Sequence, residues 1–261
     1  MKIWVEDLLD YFKRLVLDAM DYRKKNNIHR PDMINMLMEA KEANSWSDVE
    51  IVAQCFVFFL AGFETSATFL SFACHELMEN SGIQKRLFEE ISENYSNDEL
   101  TYEDINKMTY LDAVMSETLR KWPNAAATDR QCNKTLKFEN PDGLGDVVIK
   151  EGELIWIPIA GLHRDPKYFE EPKLFNPDRF SEENKRNIQP FTYIPFGVGP
   201  RACIGNRFAL MMAKTILCYI IKNFELKPSP KSTIPLDLTG GGFRMKPKKG
   251  FWLNLRNRSS N

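Results

Sequence analysis

Paired metal ligands and paired cysteines are what this sequence lacks first. Its five cysteines, Cys55, Cys74, Cys132, Cys203 and Cys218, include no C-x-x-C pair. An odd, scattered set argues against a disulfide framework and against a zinc cluster, and it fits a reducing compartment. The three histidines, His29, His75 and His163, are equally dispersed. That disfavours a metal site built from protein side chains alone. No charge is in excess either, since the net charge is −1 over 261 residues. Nucleic acid is therefore not an expected partner. The opening stretch MKIWVEDLLDYFKRL has no unbroken apolar run, because Glu6, Asp7 and Asp10 interrupt it. It reads as neither a secretory signal nor a membrane anchor. What remains is ordinary globular composition, 43% hydrophobic and 27% charged, with ample material for one sizeable core.

Periodicity predicts a mainly helical chain with small antiparallel sheets. Val5, Leu8, Leu9, Phe12, Leu15, Val16, Ala19 and Met20 repeat at helical spacing. A polar linker follows, and Pro31 opens a shorter helix carrying Ile34, Leu37 and Met38. Ser47 and Glu50 form a capping box, from which the longest helix runs to a stop near Asn80-Ser81-Gly82. That element would be about 50 Å long. Its first half, IVAQCFVFFLAGF, is apolar on all sides. A buried helix is preferred to a membrane span, because Gln54 and Glu64 fall inside the candidate span. Thr101 to Asp104 starts another helix, and YLDAVMSETLRKW must end before Pro123. Short apolar runs at residues 136–138, 147–149 and 154–159 then alternate with turns at Pro141-Asp142-Gly143 and Glu151-Gly152, the pattern of a small sheet. Near the end, Gly240-Gly241-Gly242 separates two strand-like runs.

One loop concentrates chemistry. Residues 196–205 read FGVGPRACIG, directly before a helical pattern with Phe208, Met212, Ile216, Ile220 and Phe224 four apart. Cys203 thus lies just before a helix start, where unpaired N–H groups and the helix dipole favour negative charge. Gly197 and Gly199 let the main chain approach a flat ligand closely, and Arg201 adds a fixed positive charge.

The spacing F-x-x-G-x-R-x-C-x-G, filled by Phe196, Gly199, Arg201, Cys203 and Gly205, resembles the haem-thiolate signature of the cytochrome P-450 monooxygenases. The resemblance implies Cys203 as axial ligand to haem iron, with Phe196, Arg201 and Gly205 around the cofactor. Other segments match the same family. Ala61-Gly62-Phe63-Glu64-Thr65 resembles its oxygen-activating segment. There Thr65 would hydrogen-bond dioxygen or a water and Glu64 would relay protons, beside Ala61 and Gly62 in a local groove. The alternative is that Thr65 bonds back to a carbonyl one turn earlier. Glu117 and Arg120 match the family's E-x-x-R helix, with Arg179 of the Phe175–Phe180 segment completing a structural triad on the proximal side. The family more often has Glu where Asp178 stands. By resemblance Arg130 and Arg201 would bind haem propionates, for which a planar guanidinium suits. A plain surface role for Arg130 stays open. His163, in the H-x-D-P turn, reads as structural first and as a propionate neighbour second. Ala125, Ala126, Ala127 and Phe243 are candidate cavity walls.

The resemblance implies a cytochrome P-450 fold (α+β, mainly α) as one domain over 1–261, the C-terminal haem-binding part of a microsomal-type enzyme, N-terminally truncated. It is most similar to the insect detoxification branch, which connects it with xenobiotic metabolism. The implied activity inserts one oxygen atom from O2 into an apolar small molecule. Electrons would come from an NADPH-dependent flavoprotein reductase, with cytochrome b5 as a further donor. The implied location is the cytosolic face of the endoplasmic reticulum membrane. Lys121, Arg207, Lys214 and Lys222 would offer the reductase a basic face. A second reading is a catalytically incomplete haem- or partner-binding fragment. A thiolate isomerase needing no oxygen is disfavoured by Glu64-Thr65.

Overall fold

The structure is a computed structural model that describes residues 2–95, 99–139, 143, 145–238 and 245–258. The chain divides into two compact units, Met1–Thr65 and Ser66–Asn261.

The first unit is helical. The periodic opening forms α1, Lys2–Lys25, and α2 spans Met33–Asn44. Asp32 caps α2 by accepting from the Asn35 N–H, so the helix starts two residues beyond Pro31. Arg23 ties the two helices by donating to Asp32 and Asn35 at 2.7 and 2.8 Å. The predicted capping box opens α3, Asp48–Glu79: the Ser47 N–H donates to Glu50 at 2.7 Å, and the Glu50 N–H donates to Ser47 Oγ at 3.4 Å. Val16, Met20, Ile51 and Cys55 form a small core.

The second unit holds the main core. Here the C-terminal half of α3 buries Phe69, Phe72, Ala73 and Leu77. α4, Ser81–Asn94, follows after only Asn80. Gly82 therefore lies in the first turn of a new helix, and α3 stops at Glu79 without using it. Asn80 closes α3 instead, donating from its side chain to the Glu76 carbonyl at 2.9 Å. α5, Tyr102–Lys107, carries a reciprocal Thr101–Asp104 capping box, and α6 spans Thr109–Lys121.

The described residues form three two-stranded antiparallel sheets. β1 (Thr128–Gln131) pairs with β4 (Leu154–Ile157), so that Arg130 faces Ile155. β2 (Leu136–Phe138) pairs with β3 (Val147–Ile149). The polar run TDRQ carries no strand signature; only its pairing with β4 makes it one. The expected run to Ile159 breaks at Pro158, and Ile159–His163 becomes a short helix, α7. α8 spans Asn206–Asn223 and leads into β5 (Phe224–Lys227), which pairs with β6 (Asn254–Asn257).

Candidate functional site

The Cys203 loop is built by its own backbone. The Gly197 N–H donates to the Ile194 carbonyl at 3.0 Å, and the Cys203 N–H donates to the Phe196 carbonyl at 2.8 Å. Between them, Gly197 and Gly199 have φ of 69° and 75°, left-handed values that a side chain would strain. Gly199–Arg201 is a single 3-10 turn with Pro200 inside it. Gly205 then opens α8, its carbonyl accepting from the Ala209 N–H at 2.8 Å. This frame leaves Cys203 exposed on an apolar shelf. Ile204 is 86% exposed and Phe208 74% exposed, and Val198, five residues before the cysteine, is also exposed. Phe196 is half-buried and packs against the main core. A Cβ added at Gly199 or Gly205 would meet no heavy atom within 4 Å. Among the described residues no group of three or more His, Cys, Asp or Glu could hold a metal. An exposed thiol in a glycine-framed loop with exposed apolar neighbours suits a metal carried in a flat, apolar macrocycle, and the residues present fit haem.

Behind the loop lies a buried charge network. Glu117 and Arg120 are both 0% exposed. Arg120 forks onto Glu117, Nε to Oε2 at 2.6 Å and Nη2 to Oε1 at 2.7 Å. It also donates to the carbonyls of His163 and Leu174, at 3.0 and 3.2 Å. Glu117 accepts further from the Asn176 N–H at 2.8 Å. Arg179 completes the set: its Nε lies 3.5 Å from Glu117 Oε1, and its Nη2 donates to the Glu171 carbonyl at 3.0 Å. The structure thus brings all three predicted triad residues together. Asp178 stands apart, paired with Arg86 of α4 at 2.8 Å. A cleft of about 420 Å³ lined by Arg86, Asp112, Asp178 and Glu182 contains none of the predicted site residues.

Ala61, Gly62, Glu64 and Thr65 sit on α3 at the end of the first unit. The Thr65 hydroxyl donates to the Ala61 carbonyl, the local bond that the sequence left open. Gly62 meets no heavy atom within 4 Å of a built Cβ. Arg130 is half-buried on β1, and its Nη1 donates to the Asp129 carbonyl at 2.6 Å and to Thr128 Oγ1 at 3.1 Å. Arg201 is exposed next to the cysteine loop. Phe243 and Gly240-Gly241-Gly242 lie outside the described residues, as do Pro141 and Asp142.

Three sequence expectations change. Lys214 is not part of an open basic face. It is buried and pairs with Asp112 of α6 at 2.5 Å. Lys121 is likewise engaged, 2.8 Å from the buried carboxylate of Glu76. And α8 buries Ala213, Lys214, Leu217, Cys218 and Ile221, not the stripe through Phe208 and Ile216. Both sets recur every four residues, so spacing alone does not choose between them; they differ in starting position and hence in the helix face they occupy.

Several supporting residues escaped the sequence reading. Glu76 on α3 accepts from Trp122 Nε1 at 2.6 Å as well as from Lys121. Glu90 on α4 takes the N–H groups of Tyr110 and Leu111 at 2.7 and 2.8 Å. These links join residues distant in sequence, and no local spacing announces them.

Comparison with known proteins agrees with this geometry. The family model "Cytochrome P450" matches residues 2–254. The chain is 55% identical to probable cytochrome P-450 9f2 of Drosophila melanogaster, over 95% of this chain and 51% of that protein. It is 44% identical to cytochrome P-450 9e2 of Blattella germanica, over 96% of this chain and 50% of that protein. It is 37% identical to cytochrome P-450 3A12 of Canis lupus familiaris, over 99% of this chain and 52% of that protein. The chain spans about half the length of these curated relatives. With an exposed cysteine on an apolar shelf, a buried E-x-x-R pair behind it and a family match over residues 2–254, the chain belongs to the cytochrome P-450 family.

Proposed function

We propose that this chain is the haem-binding, C-terminal part of a single-domain monooxygenase that inserts one oxygen atom from O2 into an apolar small molecule. Electrons would pass from NADPH through a flavoprotein reductase, with cytochrome b5 as a second donor. By family resemblance the enzyme works at the cytosolic face of the endoplasmic reticulum membrane, in xenobiotic metabolism. The observation that carries this reading is the setting of Cys203, exposed at the mouth of a glycine-framed loop on an apolar shelf.

When bound, haem with a thiolate ligand supplies the O–O cleavage that oxygen insertion needs. The chain's own residues hold and shape that chemistry. Cys203 would hold the iron, with Phe196, Ile204, Gly205 and Phe208 against the ring. Arg201 would fork onto a propionate, and Arg130 would do so by exchanging its short-range bonds for a carboxylate. Thr65 already spends its proton on the Ala61 carbonyl, so its oxygen is left to accept from an incoming donor. Glu64, one residue away on α3, would pass a proton in that direction, with Ala61 and Gly62 leaving room beside it. Glu117, Arg120 and Arg179 hold the wall behind the loop.

A second reading is favoured by one observation, the match to only about half of each relative. In it the chain is a haem- or partner-binding fragment without turnover. The carbon-monoxide difference spectrum of the reduced protein separates the two. A thiolate-type band is expected from the chain and its loss from Cys203→Ser; a band that survives the substitution refutes the ligand assignment. Failure of this chain to take up haem, with uptake by a longer chain, would support the fragment.

A further inference from the structure

We infer that His163 is the positioning residue that couples the buried Glu117–Arg120 pair to the Cys203 loop. The inference rests on Cys203 being the haem ligand, but its geometry stands without the cofactor. His163 is 0% exposed at the end of α7. Its backbone and its ring face two different partners. The carbonyl accepts from Arg120 Nη1 at 3.0 Å. The ring nitrogen Nε2 accepts the N–H of Ile194 at 2.8 Å. Ile194 is itself buried and is the residue whose carbonyl receives the Gly197 N–H. Phe196, two residues on, receives the Cys203 N–H. A continuous path of hydrogen bonds and short backbone links therefore runs from the Glu117 carboxylate through Arg120, His163 and Ile194 to the cysteine.

The ring is held in place as well. Tyr193 packs on it at 5.3 Å between centroids, and the Tyr193 hydroxyl donates to the Ser116 carbonyl on α6 at 3.1 Å. Two neighbouring residues of the loop's base are thus fastened to α6, one directly and one through His163. Because Nε2 accepts, the ring must be neutral with its proton on Nδ1. Among the described residues no other side chain accepts the Ile194 N–H. Losing the acceptor would leave a buried donor unpaired at the base of the loop.

Three variants and one direct measurement test this in the full chain. Gln at position 163 places an oxygen three bonds from Cβ, as Nε2 is, whereas Leu keeps the bulk without an acceptor. His163→Leu is expected to speed exchange of the Ile194 amide roughly tenfold or more. It should also change the rate at which iodoacetamide alkylates Cys203 in haem-free protein, and shift the carbon-monoxide band from the thiolate to the non-thiolate form. His163→Gln should restore all three to near the wild-type values. Should the Leu variant exchange and alkylate like the wild type, or should Gln fail to rescue a folded protein, the coupling is wrong. Independently of any variant, ¹⁵N shifts of His163 in the unaltered chain should report an Nδ1–H tautomer; an Nε2–H tautomer overturns the inference. Cys203→Ser serves as the third variant. If its thiolate band persists, the ligand assignment fails while the exchange and tautomer measurements still judge His163.

Discussion

At the scale of single residues, burial decides what the polar groups can do. A two-pronged pair such as Glu117–Arg120 survives at 0% exposure because Arg120 donates four hydrogen bonds and the Glu117 carboxylate accepts three. In sequence the pair looks like any exposed i, i+3 pair, which contributes only ~0.2–0.5 kcal/mol. Here its main effect is to strand a charge if either partner is lost. His163 shows the same logic for a titrating group. Burial lowers its imidazole from the ordinary 6.5 to about 4, against the pull of the Leu119 and Arg120 carbonyls. The unfolded chain therefore binds a proton below about 6.5 that the folded chain binds only below about 4. Between those values the unfolded state holds more protons, so stability falls as pH falls, and the loss levels off below about 4. The full loss is about 3 kcal/mol by linkage. Urea midpoints at pH 6.5 and 4.5 should show this slope in the wild type and a shallower one in His163→Gln. Equal slopes in both proteins would place the acid sensitivity elsewhere.

Among elements, the helices were legible where a local signal exists and opaque where a distant residue supplies it. The boxes at Ser47–Glu50 and Thr101–Asp104 mark their helix starts in sequence, and the structure forms both. α6 has no such signal. Met108 precedes it and makes no side-chain cap. Its first amides are instead taken by Glu90, 20 residues earlier on α4. A carboxylate there satisfies two orphan donors and complements the helix dipole. Glu90→Ala is expected to cost about 1–2 kcal/mol, in the range of an ordinary cap, and Glu90→Gln less, since one acceptor remains. Chemical denaturation of the two variants tests the order; an Ala variant as stable as the wild type would mean that water replaces the carboxylate freely. The face of α8 was misread for a related reason. Phe208 and Ile216 are large and apolar, yet Lys214 lies on the buried side because Asp112 is there to meet it. Hydrophobicity ranks residues one at a time and cannot see a partner on another helix. The cysteine loop was the opposite case: its glycines, arginine and cysteine lie within ten residues, so its glycine-framed turn could be read directly.

For the molecule as a whole, α3 is the element that both units share, and its two halves differ physically. The sequence reading favoured a helix buried along its length. That holds from Ser66 onward, where Ser66, Phe69, Phe72, Ala73, His75, Glu76, Leu77 and Met78 are buried. It does not hold for Val57, Phe59, Leu60 and Phe63, which are more than half exposed, Phe63 at 70%. By length and composition this is a helix that could cross a membrane, and 22% of its most apolar stretch is buried. Periodicity could not separate the halves, because the first is apolar on every side and so names no face. The physical difference should appear in local stability. Helical protection comes mainly from packing of a buried face, and the first half has only Ile51 and Cys55 fully inside. Its small core holds them with Val16 and Met20, whereas the second half joins the main core and is pinned by Glu76 to Trp122 and Lys121. Native-state hydrogen exchange should therefore find amides between residues 52 and 65 opening at lower free energy than those between 69 and 79. In Glu76→Gln, which weakens the pin, the gap should narrow from the protected side. Uniform protection along all 32 residues of α3 would show that the helix opens as one unit and that the division at Thr65 carries no energetic meaning.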